Sequence, residues 1–392
     1  MKRALLLTAL AVPLFSSAQI AHGGQPLGWG HPDAERDLIP ASALSGLDRG
    51  ALEAQAVATP INTGFQYGTQ RALEVNVLTQ GRWTDLADGS RVCRMRLSSP
   101  GAVMLSVQFD RFDPGTDGRV FLYNADRSYF IGSFTQEDRQ PNGELATAVV
   151  PGDEVTIEYL SGPHQDLAQL HVASITHGFR DIMDFGSRGL LRDIDPGYQS
   201  APCQDNVACP SANNWQNQRR AVALFLRPDG GGCTGVLLNN TLQNGTPYFH
   251  IANHCYQPNE GQWVFYFNYD SPGCVGTVGQ TDQTVSGSTL RALTYHGDFC
   301  LVELSSVPPA AYNVYYNGWD RSGNSPGIGA MVHHPLTDVK KIAFPNNNPT
   351  TFFTPGENTE CWRVFWANGL AQGGSSGAPL FDQNKRMIGS AS

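Results

Sequence analysis

Three short stretches in the second half of the chain carry side chains that could make and break acyl bonds. Ile251-Ala252-Asn253-His254-Cys255 sets an imidazole at the end of an apolar run. Gly297-Asp298-Phe299-Cys300-Leu301-Val302-Glu303-Leu304 sets a carboxylate at the head of another, and Gly373-Gly374-Ser375-Ser376-Gly377-Ala378-Pro379 presents a serine in a glycine turn. A serine hydroxyl is a poor nucleophile until a neighbouring imidazole takes its proton, and a buried carboxylate must hold that imidazole in the right tautomer. Glycines around the serine let backbone N–H groups point at a developing oxyanion, and here the Gly374 and Ser376 amides are the candidates. His254, Asp298 and Ser376 are therefore the candidate constellation for nucleophilic acyl transfer, with no cofactor needed.

His250 and His254 have the four-residue spacing of a zinc-binding helix. Ile251 stands where such a site needs a glutamate, and the context is strand, so no metal is expected. His296, His333 and His334 are read as loop or packing residues.

The elements that must position these groups are strands. The chain has 392 residues, enough for two or three folded units, and its 42 Gly and 25 Pro favour turns and short strands over long helices. A net charge of −9 excludes general attraction to nucleic acid or anionic membrane. Alternating runs occur at 73–78, 92–97, 103–109, 120–123 and 155–159, separated by turns such as Asp113-Pro114-Gly115-Thr116-Asp117-Gly118, and predict a small β-sandwich over 69–178. Strand-like runs resume at 221–226, 234–238, 248–251, 263–269, 301–304 and 329–332. Residues 19–68 lack periodicity and read as a flexible leader. Residues 179–202, with Arg180, Arg188 and Arg192, read as a linker with a processing site.

Met1-Lys2-Arg3 followed by an apolar stretch from Ala4 to Phe15 reads as a secretory signal, with cleavage expected between Ala18 and Gln19. No later stretch has the apolar length of a membrane span. Of the eight cysteines, all but Cys93 lie after residue 200: Cys203, Cys209, Cys233, Cys255, Cys274, Cys300 and Cys361. None has the CxxC spacing of a zinc ribbon, so disulfides in an oxidising compartment are expected.

The order His254, Asp298, Ser376 is that of chymotrypsin. From about Cys203 to Ser392 the chain resembles the lysyl endopeptidase-like bacterial serine proteases, secreted members of the chymotrypsin superfamily made as prepro-enzymes. The resemblance rests on Cys-x5-Cys-Pro at 203–210, CTGVLLNN at 233–240, NHC at 253–255, Phe267-Asn268-Tyr269 before Cys274, GSTLRA at 287–292, GWDR at 318–321 and HHP at 333–335. It implies an all-β, chymotrypsin-like double β-barrel, with 203–392 as protease domain and the 69–178 sandwich as pro-domain. It carries over His254 as general base, Asp298 as orienting carboxylate and Ser376 as nucleophile, and it implies the pairs Cys233–Cys255 and Cys209–Cys274. Cys300 and Cys361 are left as a candidate pair.

The family's chain runs on past the region matching Arg386 to Ser392 with a Gly-rich strand, a Cys and a terminal helix, so a truncated domain with an incomplete second barrel is expected. The family's specificity-setting acidic residue would lie there, and the trypsin pocket position, 376 − 6 = 370, is Leu370. Cleavage after Lys or Arg is thus implied by the resemblance alone. Ser375 cannot make the ion pair with a new N-terminal amine that activates trypsin-like zymogens, so residues 19 to about 198 are expected to act in cis as folding aid and inhibitor. The implied protein is a monomeric extracellular endopeptidase acting on proteins or peptides. The alternative is a non-catalytic secreted β-protein with an inert protease-like half.

Overall fold

The computed structural model describes residues 23–392 except 31–32, 59–63, 162–167, 192–198, 325 and 355–358. The signal stretch, its cleavage point and Arg192 lie outside the described residues.

Residues 41–178 form a sandwich of two sheets. One has the strand order Ala41–Ala43, Arg91–Ser98, Glu154–Ser161, Arg119–Asn124, Phe130–Phe134, with Arg82–Asp85 also on Arg91–Ser98. The other runs Val150–Pro151, Met104–Asp113, Gln169–Gly178, Gly68–Asn76, with Leu145–Ala146 on Met104–Asp113. Period-two alternation explains the pairing: Cys93, Met95 and Leu97 point into the shared core while Arg94 and Arg96 point out. The outward face is itself covered. Glu158, fully buried, accepts from Arg94 Nε at 2.8 Å and from the Leu27 and Gly28 backbone N–H groups at 2.5 and 2.8 Å.

The 19–68 stretch therefore differs from the flexible leader expected. Part of it is folded onto the sandwich, with Ala41–Ala43 parallel to Arg96–Ser98 and Trp29 edge-on to Phe130 at 4.9 Å, while Phe65–Gln66 pair with Gly231–Gly232 of the C-terminal half and the helix Arg49–Ala58 buries no residue. Its order comes from contacts with distant residues, which local periodicity does not report. The expected linker differs too. Phe179, Arg180, Asp181, Ile182, Met183 and Phe185 are buried, the Asp181 carboxylate accepts from Phe185 and Gly186 N–H, and Arg180 lies over the Phe65 ring at 4.9 Å. Buried side chains and satisfied backbone make Arg180 a poor cut site.

The C-terminal half has two large antiparallel sheets and a two-stranded ribbon, Thr350–Phe353 with Glu360–Arg363. In the first, the order is Thr284–Ser286, Val264–Phe267, Val222–Leu226, Gly231–Leu238, Tyr248–Ala252, Phe299–Leu304, Ser288–Thr294. The first and last strands are one stretch bent at Gly287 (φ +81), so the sheet closes on itself as a six-stranded barrel. Phe225, Phe249, Trp263, Phe265 and Val302 fill it. The second sheet runs Asp205–Asn206, Lys341–Pro345, Ala330–His333, Pro379–Phe381, Met387–Ser390, with Trp366–Asn368 on Lys341–Pro345. Among the described residues its outer strands Trp366–Asn368 and Met387–Ser390 do not pair with each other. The architecture is all-β and chymotrypsin-like, one closed barrel followed by one open one.

Candidate active site

The strand Tyr248–Ala252 runs into a 3₁₀ turn, Asn253–Cys255, which carries His254. Its neighbour Phe299–Leu304 begins just after Asp298, and the register Ala252↔Phe299 brings the two residues together across 44 positions of sequence. Asp298 takes a left-handed backbone, φ +50, which a short polar side chain tolerates. Its carbonyl accepts from Asn253 N–H at 2.9 Å. Its carboxylate accepts twice from His254, from the backbone N–H at 2.8 Å and from ring Nδ1 at 2.6 Å.

Burial pushes the Asp298 carboxyl up, but hydrogen bonds from His254 and from the Ser392 side chain, with the nearby His254 charge, outweigh it and hold the group below the usual carboxylate range. An ionised Asp298 can only accept, so Nδ1 must carry the proton and Nε2 keeps its lone pair.

The serine turn is tied to the same barrel. The Thr234 backbone N–H donates to Ser376 O at 3.0 Å, and the Thr234 hydroxyl donates to Gly374 O at 2.7 Å while accepting from His334 N–H at 3.0 Å. The preceding residue, Cys233, is joined to Cys255 (S–S 2.05 Å), and Cys209 is joined to Cys274. Gly377 (φ +84) permits the close approach: a Cβ there would lie 2.3 Å from Thr234 O and 2.8 Å from Ala252 N. The turn thus packs against the end of the strand that carries His254.

Within the turn the two serines differ. Ser375 is 1% exposed, and its hydroxyl accepts from Gln372 N–H at 3.1 Å and bonds His333 Nδ1 at 2.8 Å. The Ser376 hydroxyl has no hydrogen-bond partner among the described residues. The backbone N–H groups of Gly374 and Ser376 likewise have no partner among the described residues. Gly374 needs its glycine, since at φ +87 a Cβ would sit 2.8 Å from His334 O and 2.9 Å from Thr337 N. That neighbouring loop is itself strained: Leu336 and Thr337 have φ of +52 and +60, and Leu336 N–H donates to Gly373 O at 2.6 Å.

The other histidines do not join the group. His250 is buried with its pKa pushed down to about 4 by burial, and stands 5.1 Å from the Phe299 ring. Burial, with Lys341 and Lys340 nearby, pushes His333 and His334 down to about 3, and His296 is exposed. No group of three metal-ligating side chains occurs among the described residues. Cys300 is a free thiol inside the first barrel, so the Cys300–Cys361 pair does not form; burial pushes that thiol up to about 12. Beside Asp298 a cavity of about 1320 Å³ opens, walled by Met331, Trp362, Trp366, Leu380 and Ser390 to Ser392.

Sequence reasoning missed Thr234, the Leu336–Thr337 loop and the Ser392 contact. Only the Thr between Cys233 and Gly235 left a signal, a hydroxyl in an otherwise apolar strand.

Residues 198–392 match the family model of the lysyl endopeptidase C-terminal domain. This half of the chain is a lysyl endopeptidase-like serine protease domain. The likeness reaches beyond the lysyl endopeptidase-like domain: the chain is 27% identical over 352 residues to lysyl endopeptidase of Pseudomonas aeruginosa, covering 85% of this chain and 74% of the relative. Among solved structures, the inactive form of the Rv3671c protease is 14% identical, with a TM-score of 0.30 over 47% of this chain and 84% of its own. Deg5 is 11% identical, with a TM-score of 0.34 over 46% of this chain and 82% of its own.

Proposed function

We propose that the chain is the precursor of a secreted serine endopeptidase that hydrolyses peptide bonds through Ser376, His254 and Asp298. The observation that carries this reading is the double acceptance by Asp298 of the His254 backbone and ring N–H groups, which leaves Nε2 as a base. Ser376 Oγ attacks the scissile carbonyl carbon as His254 Nε2 takes its proton. The negative charge moves to the carbonyl oxygen, where the Gly374 and Ser376 N–H groups receive it. The tetrahedral intermediate collapses, the protonated imidazole gives its proton to the departing amine, and an acyl ester remains on Ser376. Water, deprotonated by His254, then releases the acid. Asp298 stays ionised throughout and stabilises the imidazolium.

Cleavage after Lys or Arg is proposed from the family likeness, with residues 19 to about 198 acting in cis as folding aid and inhibitor. The test is hydrolysis of a peptide library by the processed enzyme and by Ser376→Ala. Loss of the hydroxyl should lower kcat by about 10⁶, and undiminished hydrolysis by the variant sinks the reading.

A further inference from the structure

One strand of the N-terminal unit joins the first barrel at the candidate active site. Phe65 and Gln66 pair antiparallel with Gly232 and Gly231. The Tyr67 and Gly68 N–H groups both donate to Gly230 O, at 2.7 and 3.2 Å, and Gln66 Nε2 donates to Asp229 O at 2.6 Å. The edge these groups occupy leads straight into the machinery: Gly232 precedes Cys233, whose disulfide reaches Cys255 beside His254, and Thr234 holds the Ser376 turn.

The placement of the segment is residue-specific. Gly64 (φ +81) lies so close to the disulfide that a Cβ would come within 2.5 Å of Cys233 Sγ and 2.9 Å of Gly232 O. Phe65 is buried and packs by Gly373, where an added Cβ would be 3.5 Å from the Phe65 ring. An extended peptide crossing Ser376 has two sides to fill. The cavity bordered by Asp298 and Ser390 to Ser392 is available to one part of it. The disulfide, Gly373 and the all-glycine edge Gly230 to Gly232 are not in that cavity's wall but border Gly64 to Gln66, and that edge offers an incoming strand backbone donors and acceptors.

We propose that Gly64–Tyr67 is a built-in competitor for the leaving-group half of the peptide substrate, lying on the Gly230–Gly232 edge as a substrate strand does. This deepens the protease reading and rests on it. The occupant also describes the partner: a peptide with a very small residue against the disulfide and an aromatic residue next, towards its C-terminus. Binding is non-covalent, so no bond is made or broken.

The test compares the full precursor, verified uncut by gel throughout, with its Gly64→Val, Phe65→Asp and Gln66→Ala variants and with the processed enzyme. Two probes are used: an internally quenched peptide with four residues on its leaving side, and a fluorophosphonate that has none. Losing one or two strand hydrogen bonds or the Phe65 packing should raise peptide turnover by the variant precursors about 10-fold, through a lower KM. Fluorophosphonate labelling should change much less. Gln66→Ala removes one side-chain anchor only and guards against misfolding of the other two, checked by thermal melting. Processed enzyme that cleaves the peptide while all three variant precursors stay as slow as the parent overturns the competitor. Processed enzyme that neither cleaves nor labels overturns the protease reading, and the competitor with it.

Discussion

The sandwich and the barrels are both built from short antiparallel strands, yet they hold different residues under constraint. In the sandwich the buried charges answer each other inside the fold: Glu158 takes Arg94 and two backbone N–H groups, and Cys93 is a buried free thiol. In the barrels the strands end in loops that are tied down by Cys233–Cys255 and by Thr234, and among the described residues the Ser376 hydroxyl and the Gly374 and Ser376 N–H groups have no partner. Backbone strain follows the same division. Among described non-glycine residues the sandwich has positive φ only at Arg127, whereas the barrels have it at Gln243, Asn268, Asp298, Asn313, Leu336, Thr337 and Lys385. Asp298, Leu336 and Thr337 all border the candidate site, which is where stored strain is expected when loops must present chemistry.

The largest test of that contrast exchanges one carboxylate of each half, Asp298 and Glu158, for its amide. Asp298→Asn should reverse the His254 tautomer and lower kcat of the processed enzyme about 10⁴-fold with little loss of fold. Glu158→Gln should leave that kcat unchanged and lower precursor stability by about 3 kcal/mol in urea melts. Equal activity losses would erase the distinction.

Removing the Cys233–Cys255 bridge as a double serine variant opens a loop with a sequence separation of 22 and should lower barrel stability by about 3 kcal/mol. Reductant should likewise shift the barrel transition and leave that of the sandwich in place, read by calorimetry. Thr234→Val leaves Gly374 O and His334 N–H without their partner. It should cost about 2 kcal/mol and lower kcat with KM nearly unchanged, because the oxyanion donors lose their support.

Acid should also divide the halves. In the barrels His250, His333 and His334 are buried neutral, pushed down to about 4, 3 and 3, while among the described residues of the sandwich only His177 is, pushed to about 4 by burial. A depressed histidine lends stability that is complete above the unfolded value near 6.5 and is lost as pH falls from there towards the folded value. The loss is about 1.4 kcal/mol per pH unit for each fully buried histidine. Melting temperatures between pH 7 and 5 should therefore fall faster for the processed enzyme than a single histidine allows.

Much of the fold was legible because each half spells out its strands: Val92 to Leu97 and Thr234 to Leu238 alternate or run apolar and sit inside the observed strands Arg91–Ser98 and Gly231–Leu238. His254 and Asp298, which bond each other, were legible because short motifs kept their order. What was not legible was order imposed from a distance. Leu27 and Gly28 are fixed by Glu158, Arg180 by Gln66 and Phe65, and Asp298 by Ser392, and none of these contacts leaves a local pattern. Phe65 and Gln66 form too short a strand to register as periodic, and become one only because the glycine edge of the barrel receives them.

The proposed mechanism activates one serine of the Ser375–Ser376 pair, Ser376. Processed enzyme would be reacted with a fluorophosphonate, digested, and the adduct located by mass spectrometry. A single adduct on Ser376 is expected, absent from Ser376→Ala and much slower to form in His254→Ala. An adduct on Ser375, whose hydroxyl is engaged by Gln372 and His333, or equal labelling of the Ser376→Ala variant, would contradict it.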